Sequence, residues 1–296
     1  MRHDITFASG PDDCAGWFYM PDAAADDARL SVIVMAHGFS AVKEQGLDAV
    51  ARRFCAAGHA VLVFDFRHFG ASGGAPRGQL FPQAMVEDYR NAISWACQQP
   101  QVDPARVGLW GTSFSGGIAT RAATVDRRVR VVVAQAPSLM NAATRRSMDP
   151  ARWEAVGAFL QADRIERYGT GVVRTLPVVA PDGEPCALPG RESRDFFAAA
   201  SKAALTWRNE ITVESLEQIR EFDPVSLIHM LAPTALLVIA AGKDSLIPLA
   251  ALTGAVDRAA EPKRIVVLPA GHFEVYDEPW FSTAMGEAIA WFRTHL

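Results

Sequence analysis

Short apolar runs rich in β-branched residues alternate along this chain with longer segments in which apolar residues recur every three or four positions. The runs are typical of strands buried on both faces of a sheet, and the periodic segments are typical of amphipathic helices. Their alternation predicts an α/β fold with βαβ crossovers and a mostly parallel central sheet flanked by helices. The expected strands are 5–9, 16–20, 30–37, 59–66, 106–111, 129–136, 235–240 and 264–268.

Five helices are predicted to flank this sheet. Gly58 follows the apolar stripe of the first helix and Pro100 follows that of the second, and both residues are common helix-end signals. The first two strands are separated only by the turn residues 10–13, which predicts an antiparallel pair instead of a crossover. The predicted helices cover 46–57, 85–96, 114–124, 248–259 and 282–294.

The alternation of strands and helices stops between residues 139 and 228. Asp149 followed by Pro150 is a helix-start signal, and Trp153 and Leu160 lie on one apolar stripe after it. Further helices are expected at 194–205 and 212–222. We therefore expect a helical cap insertion between the sixth and seventh strands. The resulting segments are 1–138 (first part of the core), 139–228 (mainly helical cap or lid) and 229–296 (second part of the core).

Composition and charge exclude several classes of function. The 29 basic and 33 acidic residues give a net charge of -4, and the basic residues are scattered, so we expect no nucleic-acid partner. The longest apolar runs, 30–36 and 235–241, are far shorter than the ~20 residues that span a bilayer. The first residues show no apolar signal-peptide core. We therefore expect a cytoplasmic protein with no membrane partner.

The predicted fifth strand ends in Gly111-Thr112-Ser113-Phe114-Ser115-Gly116, directly before a predicted helix. A sharp turn between a strand and a helix exposes a nucleophilic serine, and it needs small residues two positions before and after that serine. Gly111 meets this requirement, and Ser115 stands where a glycine is usual. We interpret Ser113 as a nucleophile; a Gly/Ser-rich turn without chemistry is the alternative.

A serine nucleophile needs a base, and the base needs an orienting acid. Asp244 follows the seventh strand and His272 follows the eighth, in the chain order Ser, acid, His. The carboxyl ends of parallel strands meet at one edge of a sheet, so we expect the three side chains to converge there. Asp65 is interpreted as holding its own turn, and His68 is a weaker candidate base because it precedes the nucleophile.

An oxyanion hole is expected from two backbone N–H groups, those of Phe114 and Phe39. Phe114 directly follows the nucleophile at the start of a helix, and Phe39 follows His37-Gly38 in the loop after the third strand. His37 is interpreted as a structural brace. The rings of Phe39 and Phe114 are expected to line the acyl side of the pocket.

These motifs resemble the α/β-hydrolase superfamily over nearly the whole chain. Four segments are also similar to a group of bacterial and fungal α/β-hydrolases that includes the polyketide thiohydrolases, also named polyketide transferases. The resemblance implies hydrolysis or transfer of an acyl group held as an ester or thioester. The segments begin at Asp65 (DFRHFGAS), Gly111 (GTSFSGG), Trp207 (WRNE) and Gly271 (GHFE).

The hypothesis is a Ser-His-Asp serine hydrolase that works through an acyl-enzyme on a small-molecule ester or thioester with an apolar acyl group. This chemistry requires no metal and no organic cofactor, and we expect neither. An acyltransferase, a peptidase and a catalytically silent ligand-binding protein on the same fold remain alternatives.

Aromatic and apolar residues of the insertion are candidates for the substrate pocket, although each of them also suits simple core packing. Trp291 and Phe292 on the last helix could serve a dimer or pack on the sheet, so the oligomeric state stays open. The pocket candidates are Trp153, Phe159, Leu160 and Trp207, and Phe196 and Phe197 are candidate lid residues.

Overall fold

An eight-stranded sheet forms the centre of the molecule, as the computed structural model of residues 1–22 and 29–296 shows. The strand order is β1-β2-β4-β3-β5-β6-β9-β10. In it β2 is antiparallel to both of its neighbours, β1 and β4, and the six strands β3, β4, β5, β6, β9 and β10 run parallel. This confirms the mostly parallel sheet. The strands are β1 (Arg2–Ser9), β2 (Asp12–Tyr19), β3 (Leu30–Ala36), β4 (Ala60–Phe64), β5 (Val102–Thr112), β6 (Val129–Gln135), β9 (Ala235–Ala241) and β10 (Lys263–Leu268), with two short strands, β7 and β8, outside this sheet.

Helices cover both faces of the sheet. Alternate residues of β3 belong to two separate apolar clusters, Val32 and Val34 on one face and Ile33 and Met35 on the other. Phe54 of α1 and Phe292 of α9 pack edge to face at 5.3 Å within the second cluster, so the Phe292 side chain lies in the core. The flanking helices are α1 (Leu47–Ala56), α2 (Pro82–Cys97), α3 (Phe114–Val125), α8 (Leu249–Arg258) and α9 (Trp280–His295).

Four helices and a two-stranded sheet lie between β6 and β9. The sequence predicts three of the helices but not α4, because none of the residues of α4 is buried and the helix therefore has no apolar stripe. Arg167 of α5 bonds Glu214 and Glu217 of α7 at 2.7 and 3.1 Å, which joins these two helices. The elements are α4 (Ala142–Met148), α5 (Pro150–Thr170), β7 (Thr175–Leu176), α6 (Arg191–Ala200), β8 (Ile211–Thr212) and α7 (Val213–Glu221).

No helix in residues 1–22 and 29–296 is both long enough and apolar enough to cross a bilayer.

His59 is a buried histidine directly before β4. Its Nδ1 shares a hydrogen bond of 2.7 Å with Ser31 Oγ, and within the described residues its Nε2 has no partner. Burial, reinforced by the positive charges of Arg293 and Arg106, lowers the pKa of His59 to about 4. The folded protein therefore keeps this imidazole neutral at pH values where the unfolded chain protonates it.

We expect the free energy of unfolding to fall by about 2 kcal/mol between pH 7.5 and pH 5.0 because of His59 alone, since the unfolded state gains a proton that the folded state excludes. Urea unfolding of wild type and His59→Gln at both pH values measures this decrease in the free energy of unfolding. The decrease should be smaller in the variant by the part that His59 causes. Exposed His3, changed to Gln, is the control. An equal pH dependence in wild type and His59→Gln would contradict this assignment.

Candidate active site

Ser113 lies in a strained turn between β5 and α3. Its backbone has φ 53° and ψ -119°, in a region that non-glycine residues rarely adopt. The Ser113 N–H donates to Gln135 O at 2.9 Å, and Ser113 O accepts from Gly116 N at 3.1 Å and from Ser138 N at 2.8 Å. These bonds stabilise the strained turn against the end of β6.

Gly111 and Ser115 fit this turn for different reasons. A Cβ on Gly111 would lie 2.4 Å from Ser115 O, so no side chain fits there. The fully buried Ser115 does fit: its Oγ accepts from Thr112 N at 2.9 Å and lies 2.9 Å from Ala36 O, to which it donates. Ser115 therefore replaces the usual glycine while its hydroxyl connects the turn to β3.

The side chains of Ser113, His272 and Asp244 form one hydrogen-bonded series. His272 Nε2 lies 3.0 Å from Ser113 Oγ, and His272 Nδ1 lies 2.7 Å from Asp244 Oδ2. Asp244 Oδ1 accepts the N–H groups of Leu246 and Ile247 at 2.8 and 2.9 Å, which holds the carboxylate in place. With Nδ1–H donating to Asp244, Nε2 is free to accept the serine proton.

The two backbone groups expected to form an oxyanion hole are close to this series. A Cβ on Gly38, the residue before Phe39, would lie 3.3 Å from Ser113 Cβ, and the rings of Phe39 and Phe114 meet edge to face at 6.0 Å. Within residues 1–22 and 29–296, neither the Phe39 N–H nor the Phe114 N–H donates to another group. Both are therefore available to a developing negative charge.

His37 fixes the orientation of the Gly38–Phe39 peptide. Its Nδ1–H donates to Gly38 O at 3.0 Å, and its Nε2 accepts from Phe66 N at 3.3 Å. Burial lowers the pKa of His37, which keeps the ring neutral. In a trans peptide the C=O and N–H point in opposite directions, so holding Gly38 O directs the Phe39 N–H away from His37. His37 therefore braces the Gly38–Phe39 peptide against Phe66.

Asp65 and Lys43 form a buried ion pair beneath the same loop. Asp65 Oδ2 accepts from Lys43 Nζ at 2.6 Å and from Ala71 N at 3.0 Å, and its Oδ1 accepts from Lys43 N at 2.7 Å. Asp65 thus holds its own turn and the loop after β3 together. The other candidate base, His68, donates from Nδ1 to Pro76 O at 3.0 Å and does not line the cavity at Ser113.

A cavity of about 1190 Å³ opens at the carboxyl edge of the sheet, and Ser113 and His272 line it. Most of its wall is apolar. The residues come from the strand ends, from α1 and from the insertion, so the insertion closes one side of the cavity. Its principal apolar residues are Phe39, Leu47, Val50, Phe114, Met140, Leu188, Phe196, Phe197, Ile219, Leu246, Ile247, Phe273, Tyr276 and Phe281.

None of the four pocket candidates from the sequence lines this cavity. Trp153 lies on a separate small groove between α4 and α5, and Arg220 stacks on its ring at 3.5 Å. Phe159 is 44% exposed, and Leu160 is buried within the insertion. The fourth candidate, Trp207, lies behind the wall.

Trp207 joins the insertion to the loop after β3. Its Nε1–H donates to Ser40 O at 2.9 Å, and its ring stacks on Phe197 at 5.2 Å. Phe196 and Phe197, the two candidate lid residues, do line the cavity. Phe196 also stacks on Phe273, next to His272, with ring centroids 4.6 Å apart. Trp207 therefore supports a wall residue from behind.

Tyr276 and Arg145 are among the polar cavity residues that were not predicted from the sequence. Tyr276 shares a hydrogen bond with Thr112 Oγ1, next to the nucleophile, and burial raises its pKa to about 12. Arg145 reaches the cavity from α4. The GHFE segment gave a signal for the region of Tyr276, whereas no periodicity or motif marks Arg145.

Across residues 1–22 and 29–296, no group of three or more His, Cys, Asp and Glu side chains is arranged to hold a metal ion.

Comparisons with known proteins agree with the fold. Residues 33–283 match the model of the alpha/beta hydrolase family. The thiohydrolase aneE of Aspergillus aculeatus is 32% identical over 246 residues, 81% of this chain and 77% of that protein. The quorum-quenching protein AidA of Acinetobacter baumannii is 29% identical over 288 residues, 97% and 92% of the two chains. The solved structure of the alpha/beta hydrolase GrgF from Penicillium superposes with a TM-score of 0.85 at 23% identity. The match covers 100% of this chain and 99% of that chain.

Replacing Gly111 with Ala should lower the free energy of unfolding by about 1–3 kcal/mol, because the new Cβ meets backbone that cannot move away. Thermal and urea unfolding measure the loss. The matched control is Gly286→Ala at an exposed position of helix α9, where a Cβ meets nothing within 4 Å and should stabilise the protein by up to about 1 kcal/mol. Equal effects of the two substitutions would refute the close packing of the turn.

Proposed function

Because the chain belongs to the alpha/beta hydrolase family, we propose that it is a serine hydrolase that cleaves a carboxylic ester or thioester through Ser113, His272 and Asp244. The observation that carries the proposal is the unbroken series of hydrogen bonds from Asp244 through His272 to Ser113 Oγ at the wall of an apolar cavity. Relatives named thiohydrolase and quorum-quenching protein support an activity on ester-type bonds.

In the first step, Ser113 Oγ attacks the substrate carbonyl carbon while His272 Nε2 accepts the hydroxyl proton. Asp244 stabilises the imidazolium that forms, because its Oδ2 faces Nδ1–H at 2.7 Å. The negative charge that develops on the carbonyl oxygen is stabilised by the N–H groups of Phe39 and Phe114. Each such donor typically contributes on the order of 3 kcal/mol to the transition state.

In the second step, the tetrahedral intermediate collapses and His272 protonates the departing alcohol or thiol. Ser113 then carries the acyl group. His272 next accepts a proton from water, the resulting hydroxide attacks the acyl carbonyl, and the carboxylic acid leaves as Ser113 regains its proton. One water is consumed for each ester or thioester cleaved.

The acyl group in this proposal is largely apolar. The cavity wall nearest the nucleophile carries Phe39 and Phe114, whose edge-to-face rings offer a desolvated surface for a hydrocarbon chain. Burial of each CH₂ group against such a surface contributes roughly 0.8 kcal/mol to binding. Medium-length acyl chains should therefore be cleaved with higher kcat/KM than acetyl esters.

Acyl transfer is a second candidate, supported by the relatives named polyketide transferase and by the volume of the cavity. The same acyl-enzyme would then react with an alcohol or thiol in place of water. A product assay with an added alcohol and an added thiol separates the two activities, because transfer yields a new ester or thioester in place of the free acid.

We expect a fluorophosphonate probe to form a single adduct on wild type and none on Ser113→Ala, because the probe reacts only with an activated serine. Intact-mass spectrometry detects the adduct.

In parallel, kcat on p-nitrophenyl hexanoate should fall by roughly 10³-fold or more in Ser113→Ala. It should fall by up to about 10⁴-fold in Asp244→Asn, because an asparagine at this position allows the wrong imidazole tautomer of His272.

Ser226→Ala, which removes an exposed hydroxyl, is the matched control and should retain both labelling and turnover. Retained turnover in Ser113→Ala would overturn the assignment of the nucleophile. A folded wild type that is neither labelled nor active on p-nitrophenyl esters would favour the silent ligand-binding protein.

A further inference from the structure

Arg145 is a partly buried cation in the wall of the cavity. It extends from α4 to the end of α7, where its Nη1 donates to Ile219 O at 3.2 Å and to Phe222 O at 3.3 Å. Its Nη2 lies 3.4 Å from Ser138 Oγ, and the Ser138 N–H in turn donates to Ser113 O. These contacts hold the guanidinium in place, and Ser138 alone connects it to the nucleophile.

Arg145 has spare hydrogen-bonding capacity and, within the described residues, no direct ion pair; the negative charge of Asp223 acts on it from beyond 4.0 Å. A guanidinium carries five N–H donors, and the contacts above use three of them. Within residues 1–22 and 29–296, no carboxylate lies within 4.0 Å of it and no acceptor bonds its Nε–H. Burial lowers the pKa of Arg145 to about 10, so the side chain remains cationic at neutral pH. A rigid cation with free donors at a cavity wall suits an anionic oxygen pair.

Different aromatic residues of the molecule lie next to Arg145 and next to His272. Phe222, whose carbonyl holds Arg145, packs against Phe114 with ring centroids 6.4 Å apart. The ring of Phe273, beside His272, instead packs on Phe196. A leaving group must reach His272 for protonation, so the part of the substrate near Phe114 and Arg145 is the acyl group.

We propose that Arg145 selects substrates whose acyl chain ends in a carboxylate, so that the preferred acyl group is that of an ω-carboxyl half-ester or half-thioester. The proposal rests on the proposed serine hydrolase function and adds a substrate class to it. The apolar wall packs against the methylene chain, and the two free N–H donors of Arg145 bind the terminal carboxylate.

Acidic residues at the cavity mouth act against an anionic substrate, but their effect is weaker. Glu44, Glu192, Asp195 and Glu274 already accept hydrogen bonds from this chain, and the last three are exposed. Exposed Asp277 and exposed Lys243 also line the cavity, with opposite charges. At physiological ionic strength, exposed charges are screened over about 8 Å, whereas a partly buried cation such as Arg145 is screened less. The assays below therefore use 0.15 M salt, on the order of the physiological value.

The test compares two esters of nearly equal size and shape. Mono-p-nitrophenyl adipate ends in a carboxylate, and p-nitrophenyl 6-oxoheptanoate has a neutral methyl ketone in the same position. Wild type should show the higher kcat/KM on the adipate. In Arg145→Gln the ratio of the two kcat/KM values should fall by about 10- to 100-fold, which is the usual effect of losing a charged hydrogen bond. Arg145→Lys should restore part of the ratio.

Arg146→Gln is the matched control, because Arg146 is the next residue of α4, exposed and paired with Glu154. It should leave the ratio as in wild type.

A second pair of substrates, p-nitrophenyl hexanoate and its 3-carboxy-4-nitrophenyl analogue, places the carboxylate on the leaving group. Arg145→Gln should change the ratio of this pair by less than about twofold.

Three results would overturn the proposal: a wild type that prefers the ketone ester, an unchanged ratio in folded Arg145→Gln, or a larger effect on the leaving-group pair. The wild-type comparison stands even if Arg145→Gln does not fold. Ser113→Ala separates this failure from that of the function as a whole. If Ser113→Ala cleaves the ketone ester as fast as wild type, the serine hydrolase assignment fails, and the selectivity assigned to Arg145 fails with it.

Discussion

The positive φ angle at Ser113 is the constraint on which the site depends. Backbone in this region costs on the order of 1–3 kcal/mol and persists only where neighbouring structure holds it. Here the amide is fixed by Gln135 O and the carbonyl by the N–H groups of Gly116 and Ser138. Because these partners belong to β6, α3 and the segment after β6, the sheet itself positions the hydroxyl. The Phe114 N–H shares the same rigid turn.

A second group of buried polar contacts holds the loop after β3. The buried pair of Lys43 and Asp65 illustrates the balance of energies. Burying two charges costs several kcal/mol each, and their attraction seldom exceeds that cost by much. Their hydrogen bonds to Ala71 and to the Lys43 backbone, however, fix two loops in a single relative position. The pair thus contributes more to the geometry of the loop after β3, which carries Phe39, than to net stability.

Much of this architecture is predictable from the sequence because the sheet is buried on both faces and each reactive residue directly follows a strand. The side chains of the insertion are harder to place. An apolar stripe shows that a helix has a buried face but not what covers it: Leu160 is buried among its neighbours, while adjacent Phe159 faces solvent. Helix α4 has no stripe at all, so neither it nor Arg145 could be found by periodicity. The catalytic roles of Ser113, Asp244 and His272 stay predictions.

The contact between Trp207 and Ser40 makes the insertion a support of the loop after β3. Insertions on a common core are often regarded as interchangeable modules that evolution can swap to change specificity. In this molecule, the indole that supports a wall residue also donates to the loop that carries Phe39. A transplanted insertion lacking that indole would change the cavity wall. It would at the same time remove a support of the loop after β3. An exchange of the insertion in this molecule must therefore preserve, or replace, that single hydrogen bond.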